Sequence, residues 1–206
     1  MRLIQYIAVL GLMINLSVPT AADDCPEISD LRQNLQAHKY ITVDFIQTTH
    51  SEIFQSVDTL SGSLWAGGNG RFRLDMPGQI IVSNGTLYWS YSEENQQVMV
   101  DSVVKMGAWN PLTLLYDPEG VYRCQGQSQD SAQLEFSMIA LDSLTEPQTF
   151  SLLVSNKDYR PLQVVYFDDN DSRIEVRLEG YSRLENLPDS LFEFKPGPKV
   201  EIILMP

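Results

Sequence analysis

The sequence predicts a mainly β fold with a few helices (α+β), built as a strongly curved antiparallel sheet or a partial barrel. Apolar and polar residues alternate in roughly ten short segments, which is the period of half-buried strands. Turn residues such as Asn84-Gly85 separate these segments. One helical pattern precedes the strands and another interrupts them. So many consecutive strands form a stable fold by curving or closing, because this protects the sheet edges.

The first 22 residues have the order of a secretory signal peptide. Arg2 precedes an apolar stretch from Leu3 to Val18, and small residues before Asp23 favour cleavage after Ala22. An uncleaved membrane anchor is the alternative, but the stretch is short for a span of roughly 20 apolar residues. We therefore expect an exported chain whose residues 23–206 form a single domain, a length that suits one core.

The mature part begins with a helix and continues as strands. Ile28, Leu31 and Leu35 fall three and four residues apart, which predicts a short amphipathic helix ending near His38. From Tyr40 onward the period changes to two. Strands are predicted at 41–47, 62–66, 71–76, 79–83, 87–91, 96–103, 134–138, 150–154, 162–166, 174–178, 191–195 and 200–204.

Two further segments have distinct patterns. Asn110-Pro111 followed by an apolar run predicts a short inserted helix, because Asn caps and Pro fits the first helical turn. The acidic run from Asp168 to Asp171 lacks the central Gly of a helix–loop–helix calcium site. It is therefore interpreted as a solvated hairpin turn.

The charge balance restricts the partners. The chain has 27 acidic and 14 basic side chains, a formal net charge of −13. Cleavage after Ala22 would remove one arginine and no acid, which leaves the mature chain more acidic still. Such a chain repels phosphate backbones and anionic lipid surfaces, so we expect no nucleic-acid partner.

Two cysteines remain in the mature chain, Cys25 and Cys124. In an oxidising compartment a disulfide between them is one interpretation, and it would stabilise the fold by about 4–5 kcal/mol. A lipid-modified Cys25 is another, although Asp23 and Asp24 are poor neighbours for that signal. Two free thiols are the third.

No catalytic constellation is recognisable in the sequence. His38 and His50 have no metal-ligand spacing, and neither a Gly-x-Ser-x-Gly elbow nor a phosphate-binding glycine loop occurs. We therefore expect no enzyme activity, no metal and no cofactor. Large apolar residues are abundant, but periodicity alone does not distinguish an ordinary core from a ligand cavity.

Six segments, in order, resemble the bacterial outer-membrane lipoprotein carrier family (LolA). They cover nearly the whole mature chain, from about residue 28 to 202. The segments are Val43–Thr48, Leu60–Trp65, Arg71–Leu74 with Pro77, Ile80–Tyr91, Asn110-Pro111, and Phe192–Val200.

The resemblance implies an unclosed antiparallel β-barrel, covered by a lid of short helices, around an apolar cavity. It implies a periplasmic, monomeric carrier that takes acylated lipoproteins from an inner-membrane ABC release complex to an outer-membrane receptor. With strand alternation, it suggests seven cavity-lining residues: Phe45, Phe72, Leu74, Val82, Leu87, Trp89 and Tyr91. The lid residues would be Trp109, Leu112 and Leu115.

The chain departs from the family at one position. Family members often have a basic residue after the Leu-Trp strand that holds the lid shut, and the nearest counterpart here is Gly68. Either Arg71 or Arg73 substitutes for it, or the lid has no latch. Two other functions stay open on the same fold. One is a carrier of free lipid or glycolipid, and the other is a sensor that binds a regulatory protein.

Overall fold

The structure is a computed structural model that describes residues 25–103 and 121–205. The expected signal peptide, residues 1–22, lies outside the described residues. The expected lid residues Trp109, Leu112 and Leu115 also lie outside them. Within the described ranges, no helix has both the length and the apolar character needed to span a bilayer.

One helix precedes a long series of strands. Helix α1 spans Ile28–Gln36, close to the predicted helix. The strands are β1 Tyr40–Ser51, β2 Ser56–Gly67, β3 Arg71–Met76, β4 Gln79–Asn84, β5 Leu87–Ser92, β6 Gln97–Ser102, β7 Tyr122–Gln129, β8 Gln133–Ala140, β9 Thr149–Ser155, β10 Pro161–Phe167, β11 Arg173–Leu184 and β12 Glu201–Leu204. A short 3-10 helix, Asp189–Phe192, lies between β11 and β12.

All these strands form one open sheet. Within the described residues their order is β12-β6-β5-β4-β3-β2-β1-β11-β10-β9-β8-β7, so β12 and β7 are the two edges and do not pair with each other. Neighbours are antiparallel except β12, which pairs in parallel with β6. The predicted unclosed antiparallel sheet is therefore confirmed, with one parallel pair at an edge.

The two faces of the sheet have different neighbours. Directly paired residues share a face and successive residues alternate between faces. One row runs across β1 to β4 through Val43, Leu64, Leu74 and Ile81. This row belongs to the buried cluster that also contains the apolar residues of α1. We call its side of the sheet the inner face and the other side the outer face.

Two strand predictions need correction. β7 is missing from the prediction because its sequence is largely polar and places few apolar side chains, such as Tyr122, toward the core. The predicted strand at 191–195 is wrong. Phe192 ends the 3-10 helix, and the following segment pairs with no strand before Glu201. Pro196 and Pro198 have no N–H group to donate to a ladder.

A disulfide joins Cys25 to Cys124 across 99 residues, with the Cα atoms 6.2 Å apart. It selects one of the three interpretations that the sequence left open. The bond ties the segment before α1 to the edge strand β7. The N-terminal end of α1 is thereby fixed to the inner face of the sheet.

Candidate functional site

The apolar inner face is built from strands on both sides of β1. On the β11 side, Val176, Val164, Leu152 and Phe136 stand side by side on consecutive strands. On the β2 side, the row from Val43 continues beyond Ile81 to β5 and β6. Apolar side chains therefore line one face of the open sheet across most of its width.

Helix α1 covers the half of the inner face that β7 to β11 form. Leu31 and Leu35 are fully buried in the core cluster. Polar contacts fasten the helix at several points: Arg183 donates hydrogen bonds to Asn34 and to the carbonyl of Asp158, Tyr159 donates to Asp30, and Gln127 donates to Glu27. Beneath the helix, β8 and β9 form a closed core, because residues such as Phe136 have no exposed surface.

The inner face opens toward β5 and β6. Leu74 and Ile81 are 6% and 4% exposed, but Met99, in the same row on β6, is 43% exposed. Tyr88, the inner-face neighbour of Ser83, is half-buried. Ser90 on β5 lies between Ile81 and Met99 in this row, so the accessible apolar surface in this part of the sheet belongs to Met99 and to the ring of Tyr88.

A glycine makes room for an aromatic ring on this face. Phe45 lies opposite Gly62 on β2. A Cβ atom at Gly62 would lie 2.6 Å from Cζ of Phe45 and 2.5 Å from the carbonyl oxygen of Asp75. The ring of Phe45 therefore lies over the bare backbone of β2, and the glycine of the Leu-Ser-Gly-Ser-Leu-Trp segment is needed for this packing.

The seven predicted cavity residues are divided between the two faces. Phe45, Phe72 and Leu74 lie on the inner face. Ile81 and Ser83 pair with inner-face residues of β3, so Val82 between them faces outward. Its partner on β5, Trp89, faces outward too, as do the residues two positions away on that strand. The outward-facing residues are Val82, Leu87, Trp89 and Tyr91. The expectation that all seven share one surface is therefore wrong. On β4 and β5 the predicted residues are one position away from the inward-facing ones, and a shift of one position moves a side chain to the opposite face.

The C-terminal segment contacts the outer face of the sheet. Phe192 is buried between the Tyr40 ring, 6.0 Å away, and the Arg71 guanidinium, 4.5 Å away. Arg71 also pairs with Asp189 at 2.6 Å. Further along, Phe194 contacts Tyr91 at 5.1 Å beside an open hollow of about 430 Å³. The C-terminal segment thus packs on the outer face of the sheet, and on β5 it contacts Tyr91.

Gly68, the counterpart of the family's basic latch, lies in the turn between β2 and β3. Arg71 and Arg73 both lie on the outer face of β3. Arg73 pairs with Asp75 at 2.8 Å, and Arg71 pairs with the 3-10 helix as described. Neither arginine is on the face that carries Phe72 and Leu74.

Two buried phenols on the inner face stay neutral. Burial raises the pKa of Tyr122 to about 12, with smaller contributions from the carboxylates of Glu146 and Asp142. Burial also raises the pKa of Tyr166, with a contribution from Asp168. Both phenols therefore remain protonated at neutral pH, and they add no charge to the inner face.

Comparisons with known proteins are consistent with this architecture. The sequence model of the family described as "Outer membrane lipoprotein carrier protein LolA" matches residues 36–195. A protein of Alkalilimnicola ehrlichii named outer-membrane lipoprotein carrier protein is 26% identical over 208 residues, covering 97% of this chain and 94% of its own. A protein of the same name from Nitrosospira multiformis is 24% identical, covering 89% and 91%.

The fold also occurs among solved structures. An uncharacterised conserved protein from Thermus thermophilus superposes with a TM-score of 0.53 and 15% identity. The match covers 87% of this chain and 98% of that protein. At this identity the likeness concerns the fold alone.

Proposed function

This chain belongs to the outer-membrane lipoprotein carrier family, and we propose that it holds the acyl chains of lipoproteins against the inner face of its sheet. A general role in carrying lipoproteins follows from the family and from the two relatives of that name. The single observation that supports the proposed binding surface is that the inner-face row from Leu74 and Ile81 passes Ser90 and ends in the 43% exposed Met99, which leaves apolar surface accessible at this end.

The physical need for such a surface is large. Each methylene removed from water stabilises by about 0.8 kcal/mol, so transferring several acyl chains into water would cost on the order of tens of kcal/mol. A soluble carrier must replace the bilayer around these chains. An open sheet suits this task, because its backbone groups stay hydrogen-bonded while one face remains available.

We assign the wall of the binding surface to inner-face residues. Phe45, Phe72 and Leu74 keep the role that the sequence suggested for them. Val82, Leu87 and Trp89 face outward and are not part of the wall. Their inward-facing neighbours Ile81 and Tyr88 belong to it instead, together with Met99 on β6. In this proposal Trp109, Leu112 and Leu115 form the lid.

The route of transport completes the proposal. A signal peptide over residues 1–22 exports the chain to the periplasm, where it acts as a monomer without metal or cofactor. An inner-membrane ABC complex supplies the acylated lipoprotein, and an outer-membrane receptor accepts it. Transfer in one direction needs only that each successive acceptor binds the acyl chains more tightly. The role is that of a carrier and not of an enzyme.

Uptake of lipoprotein from membranes tests the carrier role. The mature chain is incubated with inner-membrane vesicles that contain the ABC complex, ATP and a triacylated lipoprotein, and the supernatant is analysed by gel filtration. We expect a soluble complex of one lipoprotein per chain, and no complex with the same lipoprotein lacking its acylated cysteine. A chain that stays empty would refute the role. Phospholipid without polypeptide in the complex would indicate a lipid carrier instead.

A further inference from the structure

Three large apolar side chains are exposed at the tip of the β1–β2 hairpin. Ile53 is 66% exposed, Phe54 is 77% exposed, and Val57 is 64% exposed. Isolated exposed apolar residues are ordinary on protein surfaces. Three within five residues of one projecting hairpin form a patch, and exposed apolar patches mark interaction sites.

A second apolar loop lies at the same end of the sheet. In the segment 141–148 between β8 and β9, Leu141 is 57% exposed and Leu144 is 89% exposed. β9 is three strands from β1 in the sheet, about 14 Å at the usual strand spacing. The pairings place the end of β1 and the start of β9 on one rim. We call these five residues of the two loops the apolar rim.

Local hydrogen bonds hold both loops in shape. The hydroxyl oxygen of Ser51 accepts a bond from the Phe54 amide at 3.3 Å. The Asp142 carboxylate accepts bonds from the Leu144 amide at 2.8 Å and from the Thr145 hydroxyl at 2.6 Å. Loops that are ordered before binding lose less conformational entropy on association, so these hydrogen bonds favour binding of a partner to the exposed side chains.

The rim is acidic as well as apolar. Glu52 lies in the hairpin and Asp142 in the second loop, while Asp168, Asp169 and Asp171 occupy the turn between β10 and β11. Bonds from backbone amides and neighbouring hydroxyl groups lower the pKa of Asp142 and of Asp168, so both are ionised at neutral pH. The guanidinium of Arg173 at this end is engaged by Glu175.

We propose that the apolar rim docks into an apolar recess, ringed by lysine and arginine side chains, on a protein partner. Charge complementarity selects this occupant. An anionic bilayer repels a chain of net charge −13, a zwitterionic bilayer offers no net charge to the acids, and a second copy brings the same acids together. The proposal concerns a surface separate from the inner face and does not depend on the cargo.

Membrane binding with matched lipid controls tests the proposal. The wild-type chain and the double variant Ile53→Glu/Phe54→Glu are sedimented with membrane vesicles from the source bacterium and with protein-free liposomes made from lipids extracted from those vesicles. The control is Leu204→Glu, a 74% exposed position on edge strand β12, away from the rim. Thermal unfolding establishes that both variants fold.

We expect the wild type and the control to bind the vesicles, the double variant to bind at least tenfold more weakly, and none to bind the liposomes. Added salt of about 0.5 M should weaken binding severalfold because the acids contribute. A photocrosslinker at position 54 should attach to a peptide with lysine or arginine beside apolar residues, whereas one at position 204 should not. Equal binding to liposomes, insensitive to salt, would identify a lipid surface and overturn the proposal. Unchanged binding by the double variant would also overturn it.

Discussion

Replacing Cys25 and Cys124 together with alanine is expected to lower the free energy of unfolding by about 4–5 kcal/mol. The disulfide closes a segment of 99 residues, and the entropy that this removes from the unfolded chain grows with the length of the closed loop. Cys25 is also buried in the core cluster, next to the start of α1. A loss of this size is a large fraction of the stability of an ordinary domain.

Urea unfolding measures this loss directly. Wild-type protein unfolded in the presence of a reductant is the matched control, because it loses the same bond without a change of side chain, and its midpoint should approach that of the double variant. The single variant Cys25→Ala should be about as unstable as the double variant. A loss below about 1 kcal/mol would mean that the bond does not constrain the unfolded chain as assumed.

A charge on the open part of the inner face should weaken cargo binding strongly. Met99→Glu places a carboxylate where the proposed acyl chain lies, and burying that group against hydrocarbon costs at least about 3 kcal/mol. The affinity for a triacylated lipoprotein should therefore fall by about 100-fold or more. Because Met99 is 43% exposed, the carboxylate can reach water in the empty protein, and the free energy of unfolding should change by less than about 1 kcal/mol.

Ile202→Glu is the matched control for this variant. Ile202 lies on β12, the neighbour of β6, with 53% of its surface exposed, and it shares the outer face with its partner Val98. Lipoprotein retention is compared by gel filtration and competition binding. Retention by Ile202→Glu should match the wild type. Equal losses in both variants would mean that the effect is one of charge and not of the inner face.

Strand alternation was sufficient to predict most of the sheet, but it could not assign every face. In β4, Ile80, Ile81 and Val82 are all apolar, so the sequence does not show which of them faces the core. In β5, the larger apolar side chains, Trp89 among them, lie on the outer face. Residues 189–200, about 100 positions later, pack on that face: Phe192 contacts Tyr40, and Phe194 contacts Tyr91 on β5.

Other features needed long-range information that no local pattern contains. β7 is an edge strand with few apolar residues, and its place was established only by its pairing with β8. The parallel pairing of β12 with β6 brings together two segments separated by about 100 residues. The pairing of Cys25 with Cys124 was one of three interpretations until the fold placed the two Cα atoms 6.2 Å apart. By contrast, the segments that resemble the family, such as Leu60–Trp65, are local and were recognisable at once.

The position of the acyl chains within the loaded carrier decides which face of the sheet binds them. A lipoprotein carrying a diazirine midway along its acyl chains is loaded onto the wild-type chain and irradiated, and the crosslinked peptides are sequenced by mass spectrometry. We expect crosslinks to inner-face residues, chiefly Phe45, Leu74 and Met99. Crosslinks to Trp89, Tyr91 or Phe194 would place the lipid on the outer face and refute binding to the inner face.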